Sequence, residues 1–223
     1  MDMTIDGREI FICGNEKAEN VFVQPLDAGD RNVIEAEFTS LKQLTNCEDI
    51  LLTAFQVKSW NDDLTPWAAP PVFGRNPFGC GAGETLEFIR NGLIPAVEQG
   101  RAGAYARYYI AGYSLAGLFA LWCAYETELF TGAAAVSPSV WYPGWTEYAE
   151  ERKTKARKVY LSLGDTEENA RNPVMASVGK AIRRQYEMLA GDNVETVLEW
   201  NPGNHFKDAE IRMAKGMSWL LDK

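Results

Sequence analysis

The chain has 223 residues, of which 46% are hydrophobic and 24% are charged, and its formal net charge is −9. This length and apolar content suffice for one sizeable domain with a buried core. The acidic balance argues against nucleic acid as a partner, because phosphate binding needs basic patches. No apolar run approaches the roughly 18 residues of a membrane span, so no membrane partner is expected.

Short apolar or β-branched runs alternate with longer amphipathic ones along the chain. This alternation is typical of an α/β fold, a mostly parallel sheet with helices on both faces. The predicted elements are, in chain order, strands at 9–13 and 20–24, a helix at 33–44, a strand at 49–57, a helix at 84–99, a strand at 106–111, a helix at 115–125, a strand at 132–137, a helix at 146–152, a strand at 158–163, a helix at 172–189, a strand at 194–200 and a helix at 207–221.

Residues 59–83 interrupt this alternation with prolines, glycines and several aromatic residues that show no periodicity. Loops of this length inside compact domains are usually functional or disordered, and the aromatic content argues against disorder. The segment is interpreted either as a pocket wall or lid, or as a packed surface loop. No linker or shift in composition divides the chain, so residues 1–223 are predicted to form a single domain.

The beginning of the chain, MDMTIDGREIFICG, lacks the basic and apolar segments of a signal peptide, which predicts a cytoplasmic location. The four cysteines are scattered without CxxC spacing, and the chain has one histidine. A zinc site needs clustered Cys and His ligands, so no metal and no cofactor is expected. The pattern gives no indication of an oligomeric state.

Residues 108–119, YYIAGYSLAGLF, place Ser114 between a predicted strand and a predicted apolar helix. A G-x-S-x-G turn in this position is the nucleophile elbow of the α/β-hydrolase fold. The positions two residues on either side must be small, and here they are Gly112 and Ala116, with alanine in place of the usual glycine. The helix N-terminus supplies the Leu115 N–H as a donor to an oxyanion. The alternative is a tight turn without chemistry.

His205 is the single histidine of the chain and follows the last predicted strand, so a Ser114 nucleophile can have no other imidazole base. The order serine, acid, histidine along the chain is that of the α/β-hydrolases. The acid is expected after the preceding strand, where Asp165, Glu167 and Glu168 lie. The spacing from Gly164 favours Glu167, with Asp165 as its rival, and a solvated loop carboxylate is the alternative for each.

A second oxyanion donor is expected on the loop that follows an earlier strand, in VFVQPLDAGD. The candidates are the backbone N–H groups of Leu26 and Asp27. Two such donors stabilise the transition state by about 3 kcal/mol each in comparable enzymes.

With these residues placed, the chain resembles the putative esterase family of α/β-hydrolases, which includes siderophore esterases, S-formylglutathione hydrolase, feruloyl esterase domains and mycolyltransferases. Beyond the elbow, the likeness is carried by ETLEFIRNGLIPAVEQ, AAAVSPSVWYPGW, LSLGDTEE and GNHF. Two features depart from the family: Ala116 replaces the glycine, and VQPLDAGD lacks the HG or DG pair that commonly marks the oxyanion hole.

These residues predict a serine hydrolase that cleaves small-molecule carboxylic esters through an acyl-enzyme. Trp60, Trp67 and Trp141 are predicted to bind the substrate. Further aromatic candidates for the pocket walls are Phe73, Phe78, Tyr142 and Trp145. The alternatives are a catalytically inactive binding module of the same fold, and an acyltransferase or peptidase that uses the same triad.

Overall fold

The computed structural model describes residues 2–45, 47–72, 74–99, 101 and 105–222. Within these ranges, eight strands form one sheet in the order β1-β2-β4-β3-β5-β6-β7-β8. The strands are β1 (Asp2–Ile5), β2 (Arg8–Gly14), β3 (Asn20–Leu26), β4 (Ile50–Gln56), β5 (Arg107–Tyr113), β6 (Gly132–Val136), β7 (Lys158–Gly164) and β8 (Glu195–Asn201). The β1–β2 and β2–β4 pairs are antiparallel, and the other neighbouring pairs are parallel.

Helices cover both faces of this sheet. They are α1 (Arg31–Leu44), α2 (Trp60–Asp63), α3 (Ala82–Phe88), α4 (Ile94–Gln99), α5 (Leu115–Glu126), α6 (Trp145–Glu150), α7 (Pro173–Ala176), α8 (Val178–Gly191) and α9 (Ala209–Leu221). A π-helical turn, Ile89–Leu93, joins α3 to α4, and a 3₁₀ turn, Glu167–Asn169, precedes α7.

Successive side chains of the central strand β3 enter two separate hydrophobic cores, as the two-residue period of a strand requires. Val21 and Val23 pack in the core beneath α5 and α8, whereas Phe22 packs beneath α1 and α9. Because both faces are covered, the central parallel strands β3, β4 and β6 are buried and apolar along most of their length. This arrangement confirms the predicted α/β class.

Two differences from the predicted elements are an added strand at the beginning of the chain and a divided helix after β7. The strand β1 was not predicted, although Asp6 and Gly7, with φ of 49° and 74°, form a two-residue hairpin turn into β2. An Asp-Gly pair is a strong hairpin signal. The predicted helix 172–189 is divided into α7 and α8, with Asn172 accepting hydrogen bonds from the N–H groups of Val174 and Met175.

The described part of residues 59–83 is packed against the neighbouring loops. Ala69 and Phe78 form an isolated antiparallel bridge within it. Two side chains from elsewhere bind its backbone: Tyr142 donates to the Trp67 carbonyl at 2.5 Å, and Asn172 donates to the Val72 carbonyl at 2.6 Å. These bonds favour the interpretation of this segment as a packed loop.

Glu37 is a carboxyl group buried on α1, where it accepts a hydrogen bond of 2.7 Å from Gln24. Burial raises the pKa of Glu37 from 4.5 to about 8; the bond from Gln24 opposes this shift, and the charges of Glu210 and Asp30 add to it. The native protein therefore keeps a proton that the unfolded chain loses above pH 4.5. The contribution of this difference in proton binding to the free energy of unfolding is fully present below pH 4.5 and is lost as the pH rises to about 8.

Glu37→Gln removes this titration. We expect the difference in free energy of unfolding, variant minus wild type, to increase by about 1.4 kcal/mol per pH unit between pH 4.5 and about pH 8. The new amide can also donate to Gln24 Oε1, which is buried without a hydrogen-bond partner in the described part of the chain. Urea unfolding at several pH values measures the difference, with Glu35→Gln, an exposed change on the same helix, as control. A difference that stays constant with pH would contradict the account.

Candidate active site

Ser114 occupies the sharp turn between β5 and α5 and has a φ of 59° and a ψ of −119°. A positive φ in a residue with a side chain costs about 1–3 kcal/mol and persists only when the surroundings fix it. Here the Ser114 N–H donates to the Val136 carbonyl at 3.1 Å, and the Ser114 carbonyl accepts from the Ser139 N–H at 3.0 Å. These bonds to the neighbouring strand and its loop hold Ser114 in the strained conformation.

The small residues around Ser114 allow the helix to approach the strand closely. A Cβ atom on Gly112 would lie 2.2 Å from the carbonyl oxygen of Ala116, so no other residue fits there without displacement. A Cβ atom on Gly117 would lie 3.0 Å from the Gly112 carbonyl and 3.1 Å from the Cα of Pro138. Ala116 itself is buried, so the elbow accommodates its methyl group in place of the usual glycine.

The structure brings His205 against Ser114. The Nε2 atom of His205 lies 3.0 Å from Ser114 Oγ, and its Nδ1 atom lies 2.7 Å from Glu167 Oε2. A carboxylate can only accept in this bond, so Nδ1 carries the proton and Nε2 is free to accept the serine proton. Tyr113 fixes the backbone at this point by donating to the His205 carbonyl at 2.7 Å.

Of the three acidic residues on the loop after β7, only Glu167 reaches His205. Its other oxygen, Oε1, accepts from the Gly164 N–H at 2.7 Å and from Ser137 Oγ at 2.8 Å. Asp165 is exposed and accepts instead from the Gly203 N–H at 2.8 Å. Glu168 points outward and pairs with Arg183 at 2.8 Å.

Burial by itself would raise the pKa of Glu167, but its hydrogen bonds and charge interactions outweigh this effect and lower the pKa below its usual value. The bond to His205 opposes burial most strongly, followed by the charge of His205 and the bonds from Gly164 and Ser137. Glu167 is therefore a carboxylate at neutral pH, as is needed to stabilise an imidazolium.

The two predicted groups of oxyanion donors differ in their placement. Leu115 is the first residue of α5 and, like Ser114, lines a cavity at the surface of the protein. The first hydrogen bond within the helix runs from the Leu118 N–H to the Ser114 carbonyl, so the Leu115 N–H has no acceptor in the helix. Leu26 and Asp27 do not line that cavity. Asp27 borders a separate recess beside β2, so the second donor stays a prediction.

Ser114 and His205 open into a cavity of about 820 Å³. Its apolar lining includes Trp60 and Trp141, two of the three predicted substrate-binding tryptophans, whereas Trp67 is absent from it. The Trp67 indole donates to the Pro143 carbonyl at 2.8 Å, and its ring packs on Tyr142 and Tyr148. The prediction of Trp67 as a substrate-binding residue is therefore corrected: this side chain fastens the 59–83 segment to the loop before α6.

Three other aromatic candidates, which the structure describes, are also absent from the cavity lining. Phe78, Tyr142 and Trp145 are buried in the hydrophobic core. Phe73 lies outside the described residues. Among the described residues of the 59–83 segment, Trp60 alone lines this cavity, so this part of the segment supports the site mainly from outside.

The segment from Thr166 to Val178 forms much of the cavity wall. No pattern in the sequence predicts this role. Met175 and Val178 contribute apolar surface, and Arg171 lies at the exposed edge. Phe206, next to His205, also lines the cavity and is 86% exposed. Asn172 as N-cap and Pro173 as first helical residue of α7 are a local signal that a helix begins here.

The site is thus a hydroxyl group next to an imidazole that is held by a buried carboxylate, at the edge of an apolar cavity. Such an arrangement can generate a serine nucleophile. Within the described ranges, His, Cys, Asp and Glu side chains form no group of three that could hold a metal ion. No helix in those ranges is long and apolar enough to cross a membrane.

Comparison with known proteins gives a family match. The family model described as "Putative esterase" matches residues 45–206, well over half of the chain. No curated protein matches the chain. Among solved structures, the IroE-like serine hydrolase from Shewanella oneidensis is similar, with a TM-score of 0.75 and 18% identity over 96% of this chain and 75% of that one.

Two further structures share the fold. Siderophore hydrolase EstB from Aspergillus nidulans has a TM-score of 0.73 and 16% identity, over 99% of this chain and 93% of that one. Enterobactin esterase FES from Shigella flexneri has a TM-score of 0.67 and 15% identity, over 97% of this chain and 57% of that one. Together with the sheet topology, these likenesses confirm the predicted α/β-hydrolase fold.

Proposed function

The chain belongs to the putative esterase family and is a carboxylic ester hydrolase, and on this premise we propose that it cleaves small-molecule esters through an acyl-enzyme on Ser114. The observation that carries the proposal is the hydrogen-bonded series of Ser114, His205 and Glu167, with distances of 3.0 Å and 2.7 Å. In this series His205 is the general base, and Glu167 orients it and stabilises its charged form.

The reaction follows from these contacts. Ser114 Oγ attacks the ester carbonyl carbon while its proton passes to His205 Nε2. The tetrahedral intermediate collapses, the C–O bond to the alcohol breaks, and the alcohol leaves with the proton from His205. Water then attacks the acyl-enzyme and gives its proton to His205, and release of the acid restores Ser114 Oγ–H.

The negative charge on the carbonyl oxygen requires donors that are in place before the reaction. We assign one of them to the Leu115 N–H at the N-terminus of α5, where the helix dipole also favours negative charge. A second donor from Leu26 or Asp27 completes the proposed oxyanion hole.

The apolar surface around the nucleophile supports an acyl group with an apolar body. Trp60, Trp141 and Met175 line the cavity near Ser114. A cavity of about 820 Å³ exceeds what an acetyl group needs, so the proposal extends to larger acyl groups.

Steady-state hydrolysis of p-nitrophenyl acetate and labelling by a fluorophosphonate probe test this function. We expect the wild-type protein to release p-nitrophenol and to react with the probe, and Ser114→Ala to do neither. Hydrolysis that persists undiminished in Ser114→Ala, or a wild-type protein that is inert to both reagents, would overturn the proposal.

Trp141→Ala is expected to weaken the preference for longer acyl groups. p-Nitrophenyl butyrate carries two more methylene groups than the acetate, and burial of each is worth about 0.8 kcal/mol. The ratio of kcat/KM for butyrate to that for acetate should therefore fall about tenfold in the variant. Trp200→Ala, which removes an exposed indole outside the cavity, is the control and should leave the ratio unchanged. An unchanged ratio in Trp141→Ala would contradict the assignment.

A further inference from the structure

Arg212 on α9 is a charged side chain in the interior of the protein, with only 1% of its surface exposed. A buried guanidinium group is costly unless its donors are paired, so the position of its partners shows what it holds together. Its side-chain partners in the described part of the chain lie on the segments that carry the three residues of the proposed triad, together with Ser137, which itself binds Glu167.

One end of the guanidinium group binds the loop that carries His205. Its Nη2 atom donates to the carbonyl of Pro202 at 3.1 Å and to the carbonyl of Asn204 at 3.1 Å. The Asn204 carbonyl belongs to the peptide group that precedes His205. Arg212 therefore fixes the backbone on the N-terminal side of the imidazole, while Tyr113 binds the carbonyl of His205 itself at 2.7 Å.

The other end of the group faces the carboxylate of Glu167. Arg212 Nη1 lies 3.4 Å from Glu167 Oε1, 3.4 Å from Ser137 Oγ and 3.3 Å from the Tyr113 hydroxyl. The contact with Glu167 involves Oε1, the oxygen that does not bind His205. It leaves Oε2 directed at the imidazole, so one side chain links the carboxylate to the histidine loop.

The packing around Arg212 leaves little freedom for this link. A Cβ atom on Gly164, at the end of β7, would lie 3.1 Å from Arg212 Nη1 and 2.9 Å from Glu167 Oε1. The same atom would lie 2.4 Å from the carbonyl of Gly203, in the histidine loop. Gly164 thus provides the space in which the loop, the carboxylate and the guanidinium group meet.

We propose that Arg212 is a positioning residue for ester hydrolysis, which holds the Glu167 carboxylate and the His205 loop in the geometry that activates Ser114. The inference rests on the proposed function of the site. Arg212 is separated from the cavity by the residues it binds, and it acts through Glu167 and His205.

The test compares Arg212→Met, which removes the charge and the donors, with Arg212→Lys, which keeps the charge but cannot bind both partners at once. Misplacement of a catalytic group by about 1 Å costs about 100-fold in rate, so we expect kcat of Arg212→Met for p-nitrophenyl acetate to fall by about this factor. KM should stay within about twofold, since Arg212 does not line the cavity. The kcat of Arg212→Lys should be about tenfold higher than that of Arg212→Met.

The pH dependence of kcat/KM separates positioning from a structural defect. Arg212 Nη1 lies 3.4 Å from Glu167 Oε1, and loss of this cation favours proton uptake by the coupled Glu167–His205 pair. The acidic limb of the profile of Arg212→Met should therefore move to higher pH and move back in Arg212→Lys. Arg184→Met, at an exposed arginine that pairs with Glu150 and Glu187, is the control and should retain the wild-type kcat and profile.

Wild-type kcat and an unshifted acidic limb in Arg212→Met would overturn the inference. If this variant does not fold, Arg212→Lys decides: a fall in kcat of about tenfold at constant KM supports the inference, and a wild-type kcat overturns it. Ser114→Ala, measured in parallel, keeps the two hypotheses apart. A kcat of Ser114→Ala within tenfold of the wild type contradicts the proposed function, whereas a Ser114→Ala that loses its activity beside fully active Arg212 variants contradicts the positioning role alone.

Discussion

Ser114→Ala should lower kcat for p-nitrophenyl acetate by about 10⁴-fold or more. The variant loses the hydroxyl that lies 3.0 Å from His205 Nε2 and forms the acyl bond in the proposed mechanism, while the cavity and the Leu115 N–H remain to bind the ester. The residual rate would then come from direct attack by water in the binding site, so KM should change little.

The matched control is Ser40→Ala, which removes a serine hydroxyl from α1, outside the cavity. We expect this control to retain the wild-type kcat. A loss of less than tenfold in Ser114→Ala would show that another group carries the reaction.

Glu167→Gln should lower kcat by about 10²–10⁴-fold, with little change in KM. The amide is nearly isosteric, but it cannot stabilise the imidazolium that forms when Ser114 gives up its proton. Its NH₂ group can also face His205 Nδ1 and favour the wrong tautomer, in which Nε2 carries the proton and cannot accept one.

Asp165→Asn is the control for this change, because it makes the same acid-to-amide replacement on the same loop. Asp165 is exposed and accepts from the Gly203 N–H, a bond that the amide oxygen can still accept. We therefore expect kcat to stay within about twofold of the wild type. A larger loss in Asp165→Asn than in Glu167→Gln would contradict the assignment of the acid.

Much of the fold follows from local sequence signals, since the central parallel strands are apolar runs between longer amphipathic segments. The elbow is also readable, because Gly112 and Ala116 flank Ser114 where a strand meets a helix. The preference for Glu167 over Asp165 rests on spacing in the sequence. Its physical basis, the donors Gly164 and Ser137 that orient Oε1, depends on the neighbouring strands and cannot be read from that loop.

Other features of the site depend on contacts between distant segments. The packing of Trp67 against Tyr142 and Tyr148 decides that it faces away from the cavity, and no local pattern around Trp67 indicates this. Arg212 offered a weak signal, because it shares the buried stripe of α9 with Gly216 and Leu220. A cation on such a stripe predicts a buried ionic partner. Which partner it meets becomes evident only from the assembled sheet.

The most direct test of the proposed mechanism is mass spectrometry of the protein after reaction with a fluorophosphonate probe, followed by proteolysis and identification of the modified peptide. The account predicts one adduct, on Ser114 in the sequence AGYSLAG, which forms rapidly in the wild type and at least about 100-fold more slowly in His205→Ala. An adduct on a different residue, or labelling of Ser114 at the wild-type rate in His205→Ala, would contradict it.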